Sequence, residues 1–159
     1  MCNIKVRKVF VGLMVFTLCM LVSTPILWSG PIEEGDKLSK EWLKAFHEGN
    51  AEALSALYAK DGAYISWASP FPVVGREAIQ AMFAGFFKMY PMRMLFVRDE
   101  SRKAYGDTVT YYNNWALIYG DAKGNMKTVY GRNIAVSAVV EGKRLILIHE
   151  GSLLPVAGP

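Results

Sequence analysis

The sequence predicts an α+β domain in which three amphipathic helices pack on one face of a curved antiparallel sheet. Apolar residues recur at helical spacing in three segments between residues 31 and 90. Beyond Pro91 the period becomes that of strands, and turn residues separate four long strand-like runs.

Residues 1–29 stand apart from that domain. Lys5, Arg7 and Lys8 precede an uncharged apolar stretch from Val9 to Trp28, the pattern of an export signal. About 20 apolar residues also suffice to span a bilayer. Val22-Ser23-Thr24 offers small residues for cleavage, but Pro25 follows at once. A cleaved signal and an uncleaved anchor running through residues 9–28 therefore both stay open. Positive-inside logic sends residues 30–159 across the membrane, to be periplasmic, secreted or tethered. The leader carries three of the 18 basic residues and none of the 14 acidic ones, so the remainder is close to neutral. Nucleic-acid binding loses its electrostatic support. Cys2 and Cys19 both lie in the leader, which leaves the exported part without a disulfide or a thiol nucleophile. No Cys/His spacing suggests a metal, and no motif suggests a cofactor.

The elements follow in order. Pro31, with Glu33, Glu34 and Asp36 after it, suits a helix start. Leu38, Trp42, Ala45 and Phe46 form its stripe, and Gly49-Asn50 ends it. His47, in its last turn, is expected to help cap the helix. Asn50 caps a second, short helix with Leu54, Leu57 and Tyr58 on its inner face. Asp61-Gly62 reads as a turn, residues 63–69 as a strand, and Pro70-Phe71-Pro72 as its interruption. Gly75 opens a third helix bearing Ile79, Met82, Phe83, Phe86 and Phe87. Strands are predicted over 94–105, 108–119, 127–140 and 144–152, joined by turns at Gly106-Asp107, 121–125 and Glu141-Gly142. Met82, Met89, Met92 and Met94 are expected as core filler.

Several words in this order resemble the nuclear transport factor 2-like superfamily, in particular its SnoaL-like branch. They are Trp42-x-x-Ala45-Phe46-His47-Glu48-Gly49-Asn50-x-x-Ala53-Leu54-x-x-Leu57-Tyr58 and Val74-Gly75-Arg76-Glu77-Ala78-Ile79. Gly106-Asp107-Thr108, Trp115, Gly131-Arg132 and His149-x-x-Ser152 follow in the expected order. The resemblance covers nearly all of residues 31–155 and implies a cone-shaped barrel, a bent sheet wrapped against three helices and enclosing an apolar pocket. It also implies a homodimer through the sheet's other face, where Trp115, Leu117 and Tyr119 would supply the apolar surface.

The resemblance also permits a test of catalysis. Ketosteroid isomerase, in this superfamily, uses a carboxylate base with a tyrosine and a protonated aspartate. Its three positions fall here on Ser66, Trp42 and Ile134. None can remove a proton from a carbon acid at neutral pH, which excludes that isomerisation. The same correspondence implies that Ser66 and Ile134 face the pocket. Alternation then brings in Tyr64 and Arg132. A loop over 122–124 pairs Asn114 with Arg132 and Tyr112 with Ile134, and sets Trp115 over Gly131 on the outer face. The expected ligand site is therefore Trp42, Tyr64, Ser66, Tyr112, Asn114 and Arg132, with the guanidinium suited to an anionic or carbonyl ligand. The last strand has two registers. A two-residue turn at Glu141-Gly142 turns His149 toward the pocket; a three-residue loop sets Glu150 opposite Arg132.

Three functions remain open. The leading one is a small, partly apolar ligand bound in the cone, with no assigned chemistry. The second is an enzyme of cyclase, dehydratase or hydrolase type using Arg132 with Glu150 or His149. The third is a homodimeric structural or interaction module.

Overall fold

The computed structural model describes residues 30–155; the leader at 1–29 lies outside the described residues. Helix α1 (Pro31–Glu48) is followed by α2 (Ala51–Ser55), β1 (Tyr58–Ser66), β2 (Val73–Val74) and α3 (Arg76–Met89). Then come β3 (Met92–Tyr105), β4 (Thr108–Gly120), β5 (Met126–Val140) and β6 (Lys143–Leu153). The strands form one sheet in the order β2-β1-β6-β5-β4-β3. The α+β cone is thus as expected, with one addition: β1 runs parallel to β6, so the sheet is mixed and stays open. Among the described residues no helix is long and apolar enough to cross a membrane.

The helix ends follow from the sequence. Gly30 N–H donates to Glu33 Oε2 at 3.0 Å, and Asn50 Oδ1 accepts from Ala53 N–H at 2.9 Å. The far end of α1 is finished by Arg93, whose Nε donates to the Phe46 carbonyl at 3.0 Å while its guanidinium lies 4.2 Å from the Phe87 ring centre. A cation beside the last carbonyls of a helix is favourable. His47 does not cap: its ring bonds the backbone of Leu95 and ties α1 to β3.

The core lies between the helices and the concave side of the sheet. Leu38, Phe46, Leu54, Ile79, Phe83, Leu117 and Ile146 are buried in it. Of the four methionines expected there, only Met82 packs against this core; Met89, Met92 and Met94 are exposed. Tyr58 is fully buried but is the first residue of β1, not the inner face of α2. The helix ends at Ser55, three residues before Tyr58, and the Tyr58 carbonyl accepts from Arg76 Nη2 at 2.7 Å. Asp61-Gly62 is accordingly an irregularity within β1, where the pairing with β6 shifts between Tyr58 and Ala63.

Register decides what faces the cavity. Between β4 and β5 the pairing is as predicted: Asn114 with Arg132, Tyr112 with Ile134 and Trp115 with Gly131. The β5–β6 turn has two residues, Glu141 and Gly142, both at positive φ, joining Val140 to the opposed Lys143. A register shift between Val136 and Ser137 then moves the partner strand by one, so His149 lies opposite Ala135 and Glu150 opposite Ile134. Neither predicted register is therefore complete, although the two-residue turn and the inward-facing His149 both stand.

Candidate functional site

The cone holds an open-mouthed cavity of about 890 Å³, at the upper end of the range for small-molecule sites. Its walls come from α1, α3 and the concave face of the sheet. On that face the odd-numbered residues of β4 and β5 look inward: Tyr111, Asn113, Trp115, Leu117 and Tyr119, with Asn133 and Ala135 opposite.

This inverts part of the expected site. Trp42, Tyr64 and Ser66 line the cavity. Tyr112, Asn114 and Arg132 lie on the convex face and do not: Arg132 is exposed, and Tyr112 Oη donates to Asn114 Oδ1 at 3.3 Å out there. Asn114 in turn donates to Asp99 Oδ2 at 3.3 Å. Trp115, Leu117 and Tyr119, expected outside, are inside. The indole of Trp115 does cover Gly131, where a Cβ would collide with it, but it does so within the cone. Glu150 also falls on the convex side of β6, between inward-facing His149 and Gly151. The physical cause is that both faces of these strands are apolar. Ile134, Tyr130 and Ile148 are exposed while Ala135 and Leu117 are buried. Polarity therefore does not identify the inner face, and a one-residue difference exchanges every side chain.

At the centre of the cavity wall stands His149. Trp42 Nε1 donates to Tyr58 Oη at 3.0 Å, and Tyr58 Oη lies 2.7 Å from His149 Nδ1. An indole is only a donor, so the phenol oxygen accepts from Trp42 and its proton is free to go to Nδ1. Nε2 then carries the imidazole proton. Among the described residues Nε2 has no hydrogen-bond partner. The Trp42 and Tyr64 rings pack against the imidazole at 5.1 and 5.0 Å between centres. Burial pushes the His149 pKa from 6.5 down to about 3, so it is neutral at physiological pH. Burial, helped by the Glu150 charge, pushes Tyr64 up to about 12. Burial, with Tyr64 adding, raises Tyr58 well above an ordinary phenol, although the Trp42 hydrogen bond pulls the other way.

One further row of residues crosses the floor. Ser66 pairs with Gly151, Gly151 with Asn133, and Asn133 with Asn113. At its end, β3 bulges between Arg98 and Ser101; Asp99 there takes a positive φ of 52°, and Glu100 reaches the cavity rim. Arg102 is held by Asp36 at 2.6 Å and Glu100 at 2.7 Å. The cavity lining also carries three charged side chains, Lys40, Glu100 and Arg102: the Arg102 guanidinium is paired with Asp36 and Glu100, and Lys40 is exposed. Sequence reasoning missed Tyr58, Asn113, Asn133 and Arg102. Asn113 and Asn133 left a signal, two amides at strand positions flanked by apolar residues, but it is readable only once the inner face is known. Among the described residues no group of three or more His, Cys, Asp or Glu gathers to hold a metal.

Comparison with known proteins agrees with this architecture. Residues 40–145 match the family model described as SnoaL-like domain. No curated protein matches the chain. Among solved structures, one described as a calcium/calmodulin dependent protein kinase II association domain from Xanthomonas campestris is 24% identical. It has a TM-score of 0.71, with 80% of this chain and 90% of that one covered. A protein described as a dehydratase from the NTF2-like family of Streptomyces avermitilis is 16% identical, with a TM-score of 0.71 over 79% of this chain and 98% of that one. An NTF2-like protein with a cystatin-like fold from Novosphingobium aromaticivorans is 18% identical, with a TM-score of 0.67 over 96% and 92%. At these identities the likeness is one of fold.

Proposed function

Since this chain belongs to the SnoaL-like domain family, within the nuclear transport factor 2-like superfamily, we propose that it binds a small, uncharged, largely apolar molecule inside its cone. The observation that carries the reading is the cavity of about 890 Å³, walled mostly by aromatic and aliphatic side chains, whose charged lining groups are either paired, as Arg102 is with Glu100, or exposed, as Lys40 is. A free buried charge would select an ion. Here His149 is neutral and Arg102 is neutralised by Asp36 and Glu100. Export by the leader would place this binding outside the cytoplasm. The test is native mass spectrometry of the purified protein and of Gly151→Leu. A Cβ at Gly151 meets nothing closer than Tyr64 Oη at 3.7 Å, so the larger side chain grows into the cavity without straining the sheet. The reading expects a copurifying neutral molecule that the variant lacks. Equal occupancy in both proteins counts against it.

A second reading is an enzyme of dehydratase type, favoured by the inward Nε2–H of His149, which as a neutral imidazole is placed to donate a hydrogen bond to a carbonyl or to a departing oxygen. The structural neighbour described as a dehydratase supports this class. Turnover lost in His149→Gln while ligand affinity persists would favour it.

For the partner, we propose a second copy of the chain on the convex sheet face. Ile134 and Tyr112 are opposed there, Ile148 lies opposite Val136, and Phe96 and Tyr130 flank Ala116. These large side chains are exposed, and contiguous apolar surface on a folded chain marks an interface. Ile134→Arg should convert a dimer to a monomer in sedimentation; a wild-type monomer at all concentrations rejects the proposal.

A further inference from the structure

We infer that the notch over Gly151 seats a carbonyl oxygen of the bound ligand, which accepts hydrogen bonds from His149 Nε2 and Asn133 Nδ2. This names the ligand class of the site, an apolar ring compound bearing a carbonyl, and rests on the binding reading above. The notch follows from the register. Gly151 is the next inward residue of β6 after His149 and is opposed by Ser66 on β1 and by Asn133 on β5. All four line the cavity. The missing side chain leaves a gap in the wall, where a Cβ would meet nothing nearer than Tyr64 Oη, at 3.7 Å. Opposed residues of adjacent strands stand about 5 Å apart, and alternate residues of one strand about 6.5 Å apart. An oxygen over Gly151 is therefore within reach of side chains from both directions.

Both flanking groups are donors. Trp42 Nε1 donates to Tyr58 Oη, so the phenol proton goes to His149 Nδ1 and the imidazole proton sits on Nε2. Asn133 Oδ1 is sealed and has no partner, so the part of this carboxamide that a ligand can reach is its NH2. Among the described residues neither His149 Nε2 nor Asn133 Nδ2 makes a hydrogen bond. Ser66 Oγ, on the third side, accepts from Ala68 N–H at 3.1 Å and keeps its own proton to give. Buried polar groups in folded proteins are nearly always paired, and one carbonyl oxygen, with two lone pairs, satisfies two donors at once. A carboxylate also accepts, but His149, Asn133, Ser66 and Tyr64 include no cation to pair with it, and an unpaired buried charge is costly. The Trp42, Tyr64 and Phe83 rings gather beside His149, an apolar setting that suits a ring.

Isothermal titration calorimetry compares 1-tetralone with tetralin, the same bicycle without the oxygen, on the wild type, Gly151→Ala and Asn133→Ala. Gly151→Ala fills the notch with a methyl group that the fold accommodates. Its tetralone-to-tetralin affinity ratio should fall at least about fivefold from the wild-type ratio, since the ketone loses two hydrogen bonds, while tetralin affinity stays within about twofold. Asn133→Ala should lower the ratio by a smaller factor. Isotope-edited infrared spectra supply a readout that packing alone does not move. The carbonyl stretch of 1-tetralone bound to the wild type should lie below its position in hexane and return toward it in Gly151→Ala. If Gly151→Ala does not fold, Asn133→Ala carries the test through the same ratio and the same stretch. A ratio unchanged in the variants, a wild-type stretch at the hexane position, or binding of tetralin without tetralone overturns the carbonyl inference and leaves the binding reading intact. Failure of both probes to bind the wild type overturns both.

Discussion

Replacing His149 by Gln should flatten the acid dependence of folding stability. The imidazole is neutral in the native protein because burial lowers its pKa to about 3, against an ordinary 6.5. The unfolded chain therefore takes up a proton below pH 6.5 that the native state refuses. His149 contributes its full stability above pH 6.5, and that contribution is lost as the pH falls toward 3. At about 1.4 kcal/mol per pH unit the whole interval corresponds to about 5 kcal/mol, and roughly 3 kcal/mol of it falls between pH 7 and pH 4. Urea unfolding of wild type at those two pH values should differ from His149→Gln unfolding by about that amount. NMR titration of the imidazole, assigned with His47→Gln, supplies the independent check. An imidazole that titrates near 6.5, or an equal loss of stability in the variant, would refute the burial argument.

Gly131→Ala should destabilise the protein by about 1–3 kcal/mol, because the new Cβ collides with the Ser152 backbone carbonyl as well as with the Trp115 indole; thermal unfolding with a near-ultraviolet spectrum of Trp115 would detect it. Ile79→Ala, at a fully buried position, should cost about 2–5 kcal/mol in chemical unfolding. Arg132→Ala should leave affinity for cavity probes unchanged, since its guanidinium stands on the convex face; a clear loss of affinity would mean the inner face has been misassigned. Arg93→Met should lower stability by about 1 kcal/mol by removing the cation at the end of α1, with hydrogen exchange rising first at Phe46 and its neighbours.

Much of the fold is legible in the sequence because each element carries its own punctuation. Asn50, Gly75, Pro91 and Glu141-Gly142 mark boundaries that the structure keeps to within a few residues. The loop over 122–124 even fixes the β4–β5 partners residue by residue. The site is harder to read. Pairing says which residues are neighbours, whereas facing requires one strand to have a polar side and an apolar side. On β5, inward Asn133 and Ser137 are more polar than outward Ile134 and Val136, the reverse of the usual pattern. The convex face is apolar, as an interface would be, and the concave face is partly polar, as a site would be. Two bulges add to this. The shift near Ser137 carries His149 to its partner Ala135, and the bulge at Asp99 carries Glu100 to the cavity rim. Neither leaves a composition signal, because the extra residue that bends a strand can be of almost any type. Tyr58 is hard to place for a simpler reason: its spacing from Leu54 continues the helical pattern, although the helix ends at Ser55 and Tyr58 opens β1.

The account turns on which side of the sheet receives the ligand. A nitrogen-15 NMR titration of the protein with naphthalene tests that most directly. The expected result is movement of the Trp42 and Trp115 indole signals and of the Asn113 and Asn133 side-chain amides, with Tyr130 and Arg132 unmoved. Shifts gathered around Tyr130 and Arg132, with the indoles and the two amides silent, would contradict it.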